Sequence, residues 1–198
     1  MNAPPRGPGR RVVVREFGDT PLDAIDRHTA LEPMDPPDPS SLSPRDVLVE
    51  IRSASVAWVD LLMTSGQYQH MARPPYTPGL EYAGTVAWKG PDAGDHISVG
   101  DPVFVDGLLA GPRSLGAYQS WGGWASWGVA PGDAVHKLPG ALDFDQACNL
   151  LGNYETAYHC LVARGRLRAG ETVLIHGASG GTGLAAVQLA KLLGRQHP

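Results

Sequence analysis

The sequence predicts a mixed β and α/β fold: a small, partly open β-barrel, then helices, then one strand–turn–helix unit. Three observations carry this. Short β-branched runs bounded by Gly, Pro or Asp occupy residues 12–130. The pattern turns helical near residue 140. A glycine-rich turn, Gly177 to Gly183, then joins a short apolar strand to an apolar helix.

The elements follow in order. Nine of the eighteen prolines lie in residues 1–45, which predicts loops broken by one strand, Val12–Phe17, ending at Gly18-Asp19. Leu42–Asp46 reads as a turn into Val47–Ile51, where Val47, Val49 and Ile51 share one face at period two. Further strands are expected at Gly84–Trp88, Val103–Val105 and Trp124–Val129. Trp121, Trp124 and Trp127 recur every three residues, which reads as packing around a barrel strand and its turn, a base- or quinone-stacking cluster being the alternative. Asp143 and Gln146 have capping-box spacing, and Ala147, Leu150, Leu151, Tyr154, Tyr158 and Leu161 fall on one helical face. Gly152-Asn153 is expected to split that stretch into two helices. Thr172–His176 reads as a short buried strand and Leu184–Leu193 as an apolar helix, with Gly194 placed to end it. The expected organisation is a flexible tail over 1–10, a barrel domain over 11–140, and linker helices with the start of a nucleotide-binding domain over 141–198.

Composition narrows the function. A 42% apolar fraction and 18% charge describe a folded globular chain of 198 residues. Net charge is −4, so no basic field points to nucleic acid or an anionic membrane. No apolar run reaches the roughly 20 residues of a membrane span, and residues 1–11 lack the apolar core of a secretory signal. Cys148 and Cys160 read as buried thiols in a reducing, cytoplasmic setting. The seven histidines show no His-x-x-x-His and no ligand spacing to the cysteines, so no metal is expected.

The glycine turn carries the chemistry. A sharp strand-to-helix turn favours residues that tolerate positive φ. A side chain there would hold a pyrophosphate away from the backbone, whereas free N–H groups at a helix N-terminus attract one. Gly183, one turn into the helix, would let helix and strand pack closely. Three competing readings exist. One is a tight connection that binds nothing. A P-loop fails, because no Lys-Ser or Lys-Thr follows the glycines. Gly177-Ala178-Ser179-Gly180-Gly181 also fits the Gly-x-Ser-x-Gly nucleophile elbow. Within this chain only Lys191, Arg195 and His197 titrate after Ser179, so no carboxylate is there to orient a histidine.

Several motifs in order resemble the medium-chain dehydrogenase/reductases, within them the zinc-free, zeta-crystallin-like quinone oxidoreductase group. They are Pro78-Gly79-Leu80-Glu81-Tyr82-Ala83-Gly84, Val99–Phe104, Gly122-Gly123-Trp124-Ala125, His136–Pro139, Glu155–Tyr158, and Ala169–His176 leading into the glycines. The resemblance runs from about Val12 to Gly194. It implies a GroES-like barrel, the opening strand and helix of a Rossmann domain, and hydride transfer from NADPH to a quinone or an activated alkene or carbonyl. It also implies that Ala178, Ser179, Gly180, Gly181, Thr182 and Gly183 line the pyrophosphate. Thr156 would lie near the nicotinamide, its bland alternative being a helix-start hydroxyl. Tyr68 would face the substrate, and Asp60 would complete an Asn-x-x-Asp motif whose Asn is here Ala57. Zinc-dependent members place ligands where this chain has Ala57 and Leu80, so the resemblance also implies no zinc.

A whole Rossmann domain has roughly six strands, and the sequence supplies one before ending at Pro198. The residue that reads the ribose 2′ position falls about 20 residues past the glycines, so NADPH and NAD are not distinguished. The chain is expected to bind dinucleotide weakly or not at all and to expose an apolar face, with homo- or hetero-dimerisation as one consequence. The alternative function is a non-catalytic fragment that pairs with a full-length subunit.

Overall fold

The structure, a computed structural model, describes residues 9–114 and 116–194. Two compact units divide the chain, Met1–Cys148 and Asn149–Pro198. The expected tail falls outside the described residues up to Pro8, and its last two residues belong to the first strand.

In the first unit, β1 (Gly9–Val14) pairs antiparallel with β2 (Thr29–Met34), Gly9 opposite Met34 and Val14 opposite Thr29. β1 ends at Val14, three residues before its expected end. Strand β2 was hidden by Pro33, which a two-stranded ribbon tolerates because a strand with a free edge can spare an N–H. The far edge of β1 is sealed by Trp124–Ser126: Val12 N donates to Trp124 O at 2.8 Å and Ser126 N to Arg10 O at 2.8 Å. That pairing explains why Trp124–Ser126, expected in the next strand, lies outside it.

The main sheet holds β3 (Asp46–Ala54), β4 (Tyr82–Lys89), β5 (Pro102–Val105), β6 (Trp127–Pro131) and β7 (Val135–Lys137), in the order β6-β3-β4-β5-β7, all antiparallel. Its two edge strands are consecutive in sequence, joined by one 3-10 turn, Gly132–Ala134. The edges of a flat five-stranded sheet stand about 19 Å apart, farther than the roughly 14 Å such a link can span. The sheet therefore curls into the partly open barrel that the short strands predicted. Val47, Val49, Val86, Val103, Val105 and Val135 fill its main core, with Ile51 packed against them. Leu48, on the opposite face of β3, joins Met34, Trp127 and Val129 in a second cluster, so β3 is buried on both faces.

Gly128 gives room to the Tyr82 ring, whose hydroxyl a Cβ at 128 would meet at 2.8 Å. The Tyr82 hydroxyl is itself buried without a hydrogen-bond partner. A buried, unpaired hydroxyl costs about 1–3 kcal/mol, so Tyr82→Phe should leave the fold intact and raise its stability by up to about 1 kcal/mol in denaturant unfolding. A loss of stability would show that the hydroxyl has a partner in solution.

Helix α1 (Pro21–Asp23), capped by the Thr20 hydroxyl, runs into a π-helical turn, Ala24–His28. Helix α2 (Trp58–Thr64) and helix α3 (Phe144–Ala147) complete the unit. The Asp143–Gln146 capping box forms as predicted, each side chain bonded to the other's backbone N–H at 2.8 and 3.1 Å.

The second unit holds α4 (Leu150–Tyr158), continued by a π-helical turn to Arg164, and α5 (Gly181–Gly194). The expected break at Gly152-Asn153 does not occur; both lie inside α4, and the chain breaks earlier, at Asn149. Ala157, Ala185 and Ala186 form the seam between the helices, with Tyr154, Leu161 and Leu189 packed against it. Tyr158 is half exposed, off the expected face, and Cys160 is exposed rather than buried. Thr172–His176 is not a strand: it has no ladder partner among the described residues, and Leu174 is 80% exposed. A strand is made by its neighbours, and apolar periodicity cannot supply one.

Candidate functional site

The predicted site residues fall in two places, one in each unit. In the first unit, Asp60 sits in the first turn of α2 at 1% exposure. Its Oδ2 accepts from Ala57 N at 2.8 Å and its Oδ1 from Leu80 N at 2.9 Å. These are the two positions where the resemblance expects a zinc-dependent relative to hold its metal. Here neither side chain offers a ligand atom, and their backbone N–H groups converge on one carboxylate. Burial pushes the Asp60 carboxyl up to about 6 against the pull of its backbone donors.

The segment that Asp60 holds is also held from its other side. Gly123 N donates to Gly79 O at 2.8 Å and Trp124 N to Pro78 O at 2.9 Å. Gly79 has φ +102°, and a Cβ there would fall 2.6–2.8 Å from Trp124 and Gly123. Asp60 thus ties α2 to the Pro78–Leu80 motif, and both its oxygens are committed to backbone. Tyr68 lies just past α2, half-buried, edge-on to His70 with ring centroids 6.3 Å apart. Beside Asp60, the Tyr76 hydroxyl is buried without a partner, and burial, then the Asp60 charge, raises its pKa.

In the second unit the glycine turn has the predicted build. Gly177 adopts φ +66°, which favours glycine. Gly180 N donates to Gly177 O at 3.1 Å and Leu184 N to Gly180 O at 2.8 Å, closing the turn onto α5. A Cβ on Gly183 would lie 2.3 Å from Gly177 O and 2.7 Å from Ala178 Cα, so the turn and the helix touch there through backbone. At Gly180 a Cβ would find only Gly177 O, at 3.5 Å. Ser179, Gly180, Gly181 and Thr182 are exposed, Ala178 is half-buried and Gly183 is buried. The first-turn N–H groups of α5 have no intrahelical partners.

Thr156 is exposed at the seventh position of α4, which rules out its reading as a helix-start hydroxyl. Sequence reasoning missed Asn153, one turn earlier on that helix. Its Oδ1 accepts from Thr182 Oγ1 at 3.2 Å. Its i,i+3 spacing to Thr156 was the available signal.

A groove of about 700 Å³ on the barrel, walled by Met34, Leu42, Tyr118 and Trp121, includes none of these residues. Among the described residues, no three His, Cys, Asp or Glu side chains converge as a metal site.

Residues 43–140 match the alcohol dehydrogenase GroES-like domain. Quinone oxidoreductase of Lama guanicoe is 35% identical over 185 residues, covering 92% of this chain and 49% of the relative. The human quinone oxidoreductase is 37% identical over 153 residues, 76% of this chain and 43% of its own length. The chain belongs to the medium-chain dehydrogenase/reductase superfamily. Among solved members of similar fold, a probable oxidoreductase from Mycobacterium abscessus aligns with a TM-score of 0.76 at 32% identity, covering 95% of this chain and 53% of that one. A mycobacterial protein complexed with NADPH aligns with a TM-score of 0.71 at 28% identity, covering 94% and 51%. The chain spans about half the length of these superfamily relatives.

Proposed function

We propose that this chain carries the barrel and the phosphate-binding turn of an NAD(P)H-dependent oxidoreductase of the quinone or enone reductase type. The observation that carries the reading is the cradle at Gly177–Gly183. One glycine turns the chain at positive φ, one leaves no room for a Cβ against backbone, and between them Gly180 stays open toward solvent. A pyrophosphate needs that combination: backbone close enough to touch, and helix N–H groups aimed at it.

Ala178, Ser179, Gly180, Gly181, Thr182 and Gly183 would hold the diphosphate, and Thr156 the nicotinamide end. NADPH, when bound, supplies a hydride to a small quinone or an activated alkene or carbonyl. Tyr68 would contact that substrate, and Asp60 positions the Pro78–Leu80 segment rather than touching the substrate, since its oxygens are already taken. The similar mycobacterial structure holding NADPH supports NADPH as the cofactor. An exposed free Cys160 supports a reducing, cytoplasmic setting.

A second reading, a non-catalytic fragment that docks on a full-length subunit, is favoured by one observation. Leu174, Leu184 and Leu192 are 80, 51 and 55% exposed, apolar side chains that a docked subunit would cover. Fluorescence titration with NADPH, run beside a sizing column, separates the two. Saturable binding displaced by inorganic pyrophosphate is expected, weaker than micromolar. Co-elution with a full-length relative without any NADPH binding would put the second reading in its place.

A further inference from the structure

We propose that Asn153 is a side-chain donor to the dinucleotide's pyrophosphate, oriented for that contact by Thr182; the inference rests on the dinucleotide reading of the glycine turn. Asn153 projects from α4 onto the first residue of α5. A Cβ on Gly181 would fall 2.7–2.9 Å from its Oδ1, Cγ and Nδ2, so the carboxamide lies flat against the glycine. The absent side chain at 181 is the space that the amide fills.

The hydrogen bonds fix which way the amide points. Asn149 O can only accept, so the atom facing it, at 3.4 Å, is Nδ2. That sets Oδ1 toward the Thr182 hydroxyl, which donates to it at 3.2 Å. A primary amide has two N–H bonds, and the long contact to Asn149 uses one. The other is left beside the first-turn N–H groups of α5, where a phosphate oxygen would receive both kinds of donor. Thr156, one turn along on the same side of α4, would extend the contact line toward the nicotinamide. Asn153 thus adds a directional donor from a second helix to the backbone cradle.

Asn153→Asp tests this, because it separates the two roles the residue could have. An Asp oxygen still accepts the Thr182 hydroxyl, so the structural contact to α5 survives the change and only the long one to Asn149 O is lost. The proposed role does not survive, since a donor to phosphate is replaced by a like charge. Dissociation constants for NADPH and for inorganic pyrophosphate would be read from the amide NMR signals of Gly177–Gly183 in the isotope-labelled chain. Weakening of both by at least about tenfold is expected, with an unchanged thermal midpoint. Asn153→Ala, favourable within a helix and uncharged, is the second variant and should weaken both by about fivefold. Wild-type affinity in either folded variant would overturn the inference. Absence of any shift in the wild-type signals would overturn the dinucleotide reading itself, and this inference with it.

Discussion

Replacing Asp60 by Ala should destabilise the barrel by about 3 kcal/mol. The carboxylate is almost wholly buried and is the acceptor for Ala57 N and Leu80 N. Alanine leaves both donors inside the protein without water or partner, at about 1–3 kcal/mol each. Relief of a buried charge offsets part of this. The same site predicts a pH dependence of definite sign. The folded carboxyl titrates at about 6, against 3.8 for an unperturbed one. Across that window the folded chain holds more protons here than the unfolded chain, so the Asp60 contribution to stability falls as pH rises from about 4 to about 6. Above that both states are ionised and the decrement is constant, roughly 3 kcal/mol. Other carboxylates act the opposite way: Arg15 lowers the pKa of Glu32, and Lys137 that of Asp101. The informative quantity is therefore the difference between wild type and Asp60→Asn, measured by denaturant unfolding at the two ends of the window. Asn keeps the shape, accepts one of the N–H groups and does not titrate. A flat difference, or an Ala variant within about 0.5 kcal/mol of wild type, would mean that Asp60 neither seals α2 nor titrates as described.

The second large effect is a contrast between two glycines of the same turn. Gly183→Ala forces a methyl within 2.3 Å of Gly177 O, and the groups it meets are backbone with no rotamer to change. Turn and helix must separate, which should cost about 1–3 kcal/mol in the second unit and abolish pyrophosphate binding. Gly180→Ala has room in the free protein, its Cβ at ordinary van der Waals distance from Gly177 O. It should leave stability within about 0.5 kcal/mol and still weaken pyrophosphate binding at least about tenfold, because the methyl occupies the approach to the backbone. If Gly180→Ala bound as well as wild type, the glycine there would serve only the turn. Loss of stability in both variants to the same degree would say the same.

Most of the barrel was legible because β-branched alternation and turn residues report directly on half-buried strands. Val47, Val49 and Ile51 do share one core face, and β4 and β5 fall where their apolar runs lie. What escaped was set by partners distant in sequence. β2 carries Pro33 in a region read as loop and is a strand because β1 lies beside it. Residues 172–176 have the composition of a strand and lack the neighbour that would make them one. The site divided in the same way. Gly177, Gly180 and Gly183 could be read from local geometry, since turn, approach and packing are demands made within a few residues. Asn153 could not, because its role depends on α4 and α5 lying side by side. Asp60 was found through its resemblance to a motif, but its work, binding the N–H groups of Ala57 and Leu80, shows only once residues twenty apart are brought together.

Gly177–Gly183 as a phosphate cradle should be a property that the isolated fold already presents. Titrating the isotope-labelled chain with NADPH while following its backbone amide signals tests this most directly. The amides of Gly180, Gly181, Thr182 and Gly183 should shift first and saturably, and inorganic pyrophosphate should reproduce the shifts. Shifts confined to other residues, or none at millimolar NADPH, would contradict it.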